Sequence, residues 1–151
     1  MFSVKPMMLS SIALSTALLL AACNTTGQND MASDWSSVTG KDWQLTMVVD
    51  GDKMLSPTAP VVASANFADD GKVSGSNGCN SYFGTYTQNA ENLTFSPLGA
   101  TRMACINTGM DVENAFNNAT GQVANWQISD GMLVLSDSNG KAVMKFAPSA
   151  P

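Results

Sequence analysis

The chain reads as an α+β protein that is mostly β: a curved antiparallel sheet, or a small partly open barrel, carrying one α-helix. Three observations predict it. Apolar residues alternate over several short runs, Asp-Gly and Asn-Gly pairs punctuate the C-terminal third, and a single segment between Cys105 and Val123 switches to a helical period.

Trp43 to Val49 follows Gly40 and is rich in β-formers, so it is the first expected strand. Val61, Ala63, Ala65 and Phe67 alternate with smaller or polar neighbours, the period of a half-buried strand. Asp69-Asp70-Gly71 turns the chain into Lys72 to Ser76. Phe83 to Thr87, the turn Asn89 to Asn92, and Leu93 to Phe95 follow. The C-terminal third reads as an antiparallel meander. Ala124, Trp126 and Ile128 alternate, Asp130-Gly131 turns into Leu133 and Leu135, and Asn139-Gly140 turns into Ala142, Met144 and Phe146.

The helix is expected from three signals. Thr108 followed by Asp111 resembles a capping box, Val112, Phe116 and Ala119 fall on one face, and Gly121 supplies a stop. A helix lying on a curved antiparallel sheet is a two-layer α+β arrangement. Periodicity leaves sandwich and barrel both open.

The N-terminus predicts export. Residues 1–22 carry one positive charge, Lys5, then an uncharged apolar run from Met7 to Leu20, then small residues before Cys23. A spanning helix needs about 18–20 continuous apolar residues, whereas Ser10, Ser11, Ser15 and Thr16 interrupt this run. The sequence Leu20-Ala21-Ala22-Cys23 resembles the bacterial lipobox, which implies a cleaved signal and an acylated Cys23 as the new N-terminus. Each buried methylene of such a lipid adds about 0.8 kcal/mol of membrane affinity. Residue 24 is Asn and not Asp, which by the same resemblance points to the outer membrane of a Gram-negative cell, with the domain facing the periplasm. Residues 23–38, polar from Asn24 onward, are expected as a lipid-anchored tether reaching about 20 Å. Trp35 is its odd member, either docked on the domain or exposed near the bilayer. Residues 39–151 form the expected domain.

Composition narrows the function. The net charge of −5 includes Lys5, so the exported chain carries about −6, which argues against nucleic acid as a partner. There is no histidine, which removes Ser-His-Asp and Cys-His nucleophile arrangements and most zinc geometries. No cofactor and no metal is expected, and the chain is read as a monomer.

Two motifs remain, Gly78 to Tyr86 (GCNSYFGTY) and Thr101 to Cys105 (TRMAC). With Trp43-Gln44-Leu45 upstream and Trp126 and Asp130-Gly131-Met132-Leu133 downstream, they resemble the META domain family, which includes HslJ-like heat-shock envelope lipoproteins. The resemblance implies a compact β-rich domain with one helix, a link to heat stress and novobiocin resistance, and no established enzyme activity. The family fold is also similar to pilot lipoproteins of secretion systems, a likeness of fold alone.

Read bottom-up, most motif residues are architectural. Gly75, Gly78 and Gly84 suit a bent strand needing positive φ or close approach, and Asn80 suits a turn pinned by its own side chain. Of Tyr82, Phe83 and Tyr86, about half should face the core, which makes Tyr82 and Tyr86 candidates either for packing or for a binding surface. Cys79 and Cys105 are the natural disulfide pair, since acylation consumes Cys23 and the compartment is oxidising. Closing a loop of roughly 26 residues stabilises by about 3.5 kcal/mol in the chain-entropy model. Arg102, the only arginine, is either a bidentate ligand for a carboxylate or phosphate or an internal group, paired with Glu91, Asp111 or Glu113 or bonded to strand carbonyls at the sheet edge.

The other polar clusters have simpler readings. Asp50, Asp52, Asp69, Asp70, Asp130 and Asp137 occupy expected turns, and Asp50-Gly51-Asp52 lacks the ligand series of a calcium loop. Met47, Met103, Met110, Met132 and Met144 read as core filler, or as an exposed hydrophobic patch. Three functions compete: a non-catalytic envelope-stress lipoprotein that binds an envelope protein or lipid, a pilot-like chaperone with a groove or barrel mouth, and a periplasmic enzyme or enzyme inhibitor.

Overall fold

A computed structural model describes residues 34–106 and 108–150, so Cys23, the signal segment and most of the expected tether lie outside the described residues. The strands are β1 (Asp42–Asp50), β2 (Lys53–Leu55), β3 (Ser64–Phe67), β4 (Lys72–Ser76), β5 (Ser81–Asn89), β6 (Asn92–Phe95), β7 (Gly99–Ala100), β8 (Asn125–Ser129), β9 (Met132–Ser136) and β10 (Ala142–Pro148). Helix α1 spans Gly109–Thr120 and a 3-10 turn spans Trp35–Ser37.

The strands pair antiparallel in the order β10-β9-β8-β6-β5-β4-β3-β1, and β1 pairs with β10 in turn, so eight strands close a barrel. The short strands β2 and β7 add to β1 and β5. Closure decides between the sandwich and the barrel, and bulges are its local device. The β1–β10 register shifts between Leu45 and Met47, and the β10–β9 register between Ala142 and Met144. Each irregularity bends its strand and adds twist. β1 can therefore meet β3 through Asp42–Gln44 and β2 through Val48–Asp50 on one side while β10 runs along the other.

Inward positions fill the barrel with large apolar groups, including Trp43, Leu45, Phe67, Leu93, Leu133 and Phe146, all buried. Helix α1 covers the end formed by the β4–β5 turn and the last residues of β1. Its Val112, Ala115, Phe116 and Ala119 are buried, Phe116 packs 5.0 Å from the ring of Tyr82, and Asn118 donates to Asp50. The helical face is thus the expected one, but its caps are not. Thr108 sits in helical φ/ψ, so its hydroxyl makes no capping bond, and Gly121 is also right-handed at φ −69°. The helix stops there because Val123 and Trp126 must enter the core.

The other end of the barrel, at the β3–β4 turn and the start of β1, is closed by the N-terminal segment. Trp35 packs edge-on against Phe67 at 5.2 Å and Trp126 at 4.7 Å, and its Nε1 donates to the Tyr86 hydroxyl at 3.0 Å. Val38 is fully buried and its carbonyl accepts from Trp43 Nε1 at 3.0 Å. Polar composition places Asp34 to Val38 in the tether, yet Trp35 and Val38 pack against the domain. Burying a large apolar side chain stabilises by about 1.5–3 kcal/mol, and both Trp35 and Val38 find apolar partners here.

Candidate functional site

The two motifs meet at the helix end of the barrel. Asn77 begins the arrangement: its Oδ1 accepts from the backbone N–H of Cys79 and of Asn80, at 3.3 and 2.7 Å, which folds the β4–β5 connection into a tight turn. Gly78 completes the turn at φ +106°, where a Cβ would stand 2.7 Å from Val112 Cγ1. Glycine is required there for both backbone and space.

Asn80, buried, is the centre. Its Oδ1 accepts from Thr101 Oγ1 at 2.9 Å and from the Met103 N–H at 2.7 Å. Its Nδ2 donates to the Met103 carbonyl at 3.1 Å and to Glu113 Oε2 at 2.9 Å. One carboxamide therefore ties the β4–β5 turn, the TRMAC segment and α1 together. The disulfide Cys79–Cys105 lies beside it, with Cα atoms 5.7 Å apart. The sequence suggested that Asn80's own side chain pins the turn, but Asn77 does so and the Asn80 side chain instead holds TRMAC and the helix; the i to i+33 spacing to Glu113 has no local signature.

Tyr82 and Tyr86 both point inward. Tyr82 is buried and its hydroxyl donates to the Ser64 carbonyl at 2.9 Å, while burial pushes its pKa well above the usual phenol range. Tyr86 donates to the Ala68 carbonyl at 2.7 Å and accepts from Trp35. Both therefore pack the core, and the outward aromatic of the motif is Phe83, 64 % exposed. The alternation is the ordinary consequence of a two-residue strand period.

Arg102 is exposed, and none of the internal pairings expected for it forms among the described residues. Glu113 is engaged by Asn80 instead. The one ion pair among the described residues is the solvated Lys72–Asp70 contact. Met103 and Ile106, 61 % and 85 % exposed, flank Arg102 on the same segment, and Met110 is partly exposed on the first turn of α1. Of the five methionines read as filler, only Met144 lies in the core. The described residues contain no group of three or more His, Cys, Asp or Glu side chains placed to hold a metal ion.

A cleft of about 360 Å³ opens beside this segment, between residues 95–100 and the C-terminal half of α1, with Tyr82 reaching its floor. No sequence signal marks it, because its two walls are separated in the chain and meet only through the barrel.

A plugged antiparallel barrel whose turn, loop and helix are stapled by one asparagine and one disulfide defines a small β-barrel domain. The chain belongs to the META domain family, whose model matches residues 36–150. It is similar to a protein from Burkholderia xenovorans solved by NMR, at 26 % identity and TM-score 0.64, over 80 % of this chain and 89 % of that one. A second NMR structure aligns at 20 % identity and TM-score 0.58, over 76 % and 93 % of the two chains. A crystal structure of a DUF4847 family protein from Bacteroides vulgatus aligns at 16 % identity and TM-score 0.51, over 75 % and 95 %; these last two show likeness of fold. No curated protein matches the sequence. Membership of the META family points to a non-enzymatic, envelope-associated protein.

Proposed function

We propose that this chain is an envelope-stress lipoprotein, of the kind linked to heat and novobiocin resistance, that acts without catalysis by binding another envelope component. In this reading Cys23 carries the lipid anchor, the protein sits at the outer membrane facing the periplasm, and it works as a monomer. One observation carries the binding role: the segment Thr101–Ile106 is held in place by Asn80 and the disulfide, yet it presents Met103, Ile106 and Arg102 to solvent. Large apolar side chains gathered on a fixed loop mark interaction surfaces more often than they arise by chance. Arg102, unpaired among the described residues, adds a guanidinium for a carboxylate or phosphate of the partner.

The pilot-like alternative asks for a barrel mouth or interior groove, and large side chains occupy the barrel while α1 and Trp35 cover its two ends. The test is co-purification of the acylated protein from its native membrane, with wild type compared against Arg102→Ala and Ile106→Ser. A single protein or lipid that follows the wild type and is lost from a folded variant supports the reading. An unchanged set of companions, or none above background, overturns it.

A further inference from the structure

We propose that the open edge of the bulged strand from Phe95 to Ala100 accepts an extended, uncharged segment of a partner protein as an added strand. This deepens the binding role above and rests on it, by naming the place and the chemistry of recognition.

β6 and β7 are two parts of one strand along β5. Tyr86 lies opposite Phe95 and Phe83 opposite Gly99, so one extra residue is accommodated at Ser96–Leu98. Hydrogen-bond parity then fixes which way the backbone faces. Tyr86 donates its N–H to Gly71 on the β4 side, so it and Phe95 form a non-hydrogen-bonded pair, and both main-chain groups of Phe95 point away from β5. Leu93 has the same parity and its N–H reaches the Ala124 carbonyl at 3.0 Å. Two residues further on that partner is gone. The β6–β8 ladder consists of the single pair Asn92–Asn125, and beyond it the chain turns up into α1. Among the described residues Phe95 has no main-chain partner on that side. Ser96 and Thr101 bond Thr85 and Ser81 on β5, so Ala100 faces outward with Phe95. Pro97, which has no N–H, is tolerated on such an edge and excluded from a central strand.

The open edge borders the cleft. None of the residues lining it is charged, on a chain of net charge −5, so an anionic or cationic ligand finds no counter-charge there while a neutral peptide leaves no charge unpaired. At about 360 Å³ the cleft lies at the small end of ligand sites and suits a side chain or two. An unpaired edge beside a neutral cleft is the geometry of strand addition, in which main-chain bonds supply affinity and alternate side chains enter the pocket. The edge also runs directly into Thr101–Ile106, the exposed segment that carries the binding role. Its bulge and proline discourage two copies of this chain from pairing edge to edge.

The test is selection from a displayed random heptapeptide library against the folded domain, with Asn117→Trp as the counter-selection. Asn117 is exposed on α1 and lines the cleft, so the indole fills the cleft without entering the core. Enriched peptides should be uncharged, should shift the amide resonances of Phe95 and Ala100, and should slow exchange of the Phe95 N–H. Binding should fall about tenfold or more to Asn117→Trp, and likewise when the peptide amide facing the edge is N-methylated, the loss expected for one or two main-chain bonds. Failure to enrich any peptide on wild type over the variant overturns the proposal, as does indifference to N-methylation or a concentration-dependent dimer that buries the edge. A membrane companion that persists with Asn117→Trp but is lost with Ile106→Ser leaves the binding role standing and removes strand addition.

Discussion

Asn80 bonds both main-chain groups of Met103, accepting from its N–H at 2.7 Å and donating to its carbonyl at 3.1 Å. A side chain thus does for the TRMAC segment what a neighbouring strand would do. Asn80→Ala should lower stability by about 2–4 kcal/mol, because several partly buried groups lose their partner at once. Asn80→Asp should cost a similar amount, since a carboxylate cannot donate to Met103 or to Glu113. Urea unfolding of both variants measures this. A loss below about 1 kcal/mol would show that the carboxamide merely accompanies the disulfide.

Removing the bridge acts chiefly on the unfolded chain. With a sequence separation of 26, the Cys79→Ser/Cys105→Ser variant should be less stable by up to about 3.5 kcal/mol while keeping its fold, because Asn80 still clamps Met103. Denaturant unfolding gives the magnitude, and amide spectra of the native state report whether the loop stays in place. Two titratable thiols in the native, unreduced periplasmic form would contradict the bridge itself.

Gly78 combines a left-handed backbone with a contact that leaves no space for a Cβ. Gly78→Ala should destabilise by about 2 kcal/mol or more. Adding Val112→Ala removes the Cγ1 contact at 2.7 Å but leaves Val112 Cβ at 2.9 Å and the φ of +106°, so it should offset only part of the loss and bring its own core loss. A double-mutant cycle with a clearly favourable coupling between the two changes is the expected result.

Tyr82 should make the fold sensitive to alkali. Burial raises its folded pKa above the unfolded value of 10.0, so the unfolded chain gives up its proton first. The stabilising contribution is complete below about pH 10 and is lost as pH climbs toward the folded value. Absorbance titration should show Tyr82 ionising only as the protein unfolds. Tyr82→Phe should reduce the alkaline loss while giving up the bond to Ser64 at neutral pH.

Arg102 should be neutral for stability. Exposed and without an ion pair among the described residues, it should change unfolding by no more than about 0.5 kcal/mol when replaced by Ala. A loss above about 1 kcal/mol would make it part of the scaffold and weaken the binding reading.

Much of the fold was legible. The β-formers at Trp43–Val49 and the alternation in the three C-terminal runs correspond to β1, β8, β9 and β10, the alternation from Val61 to Phe67 holds β3 though that strand begins only at Ser64, and the Val112/Phe116/Ala119 face is the face α1 buries. The short strands β2 and β7 were not legible, since runs of three and two residues carry no period. Of the candidate site, the pairing of Cys79 with Cys105 followed from compartment and elimination, and the structure contains it. The capping box failed because Thr108 matches by spacing but sits in helical φ/ψ, a torsion that sequence does not report.

Local pattern establishes that this chain is a mostly antiparallel protein with one amphipathic helix, two motif-bearing segments and a family likeness, because strand and helix periods record which face of each element is apolar. It does not say how those faces meet. Barrel closure through β1 and β10, the Trp35 plug, the reach of Asn80 to Met103 and Glu113, and the open edge at Phe95 all depend on register and curvature accumulated over eight strands. That is why Tyr82 and Tyr86 turned inward while Arg102 was left in solvent: their motif fixes neighbours along the chain, and only the closed barrel decides which side of the wall each one occupies.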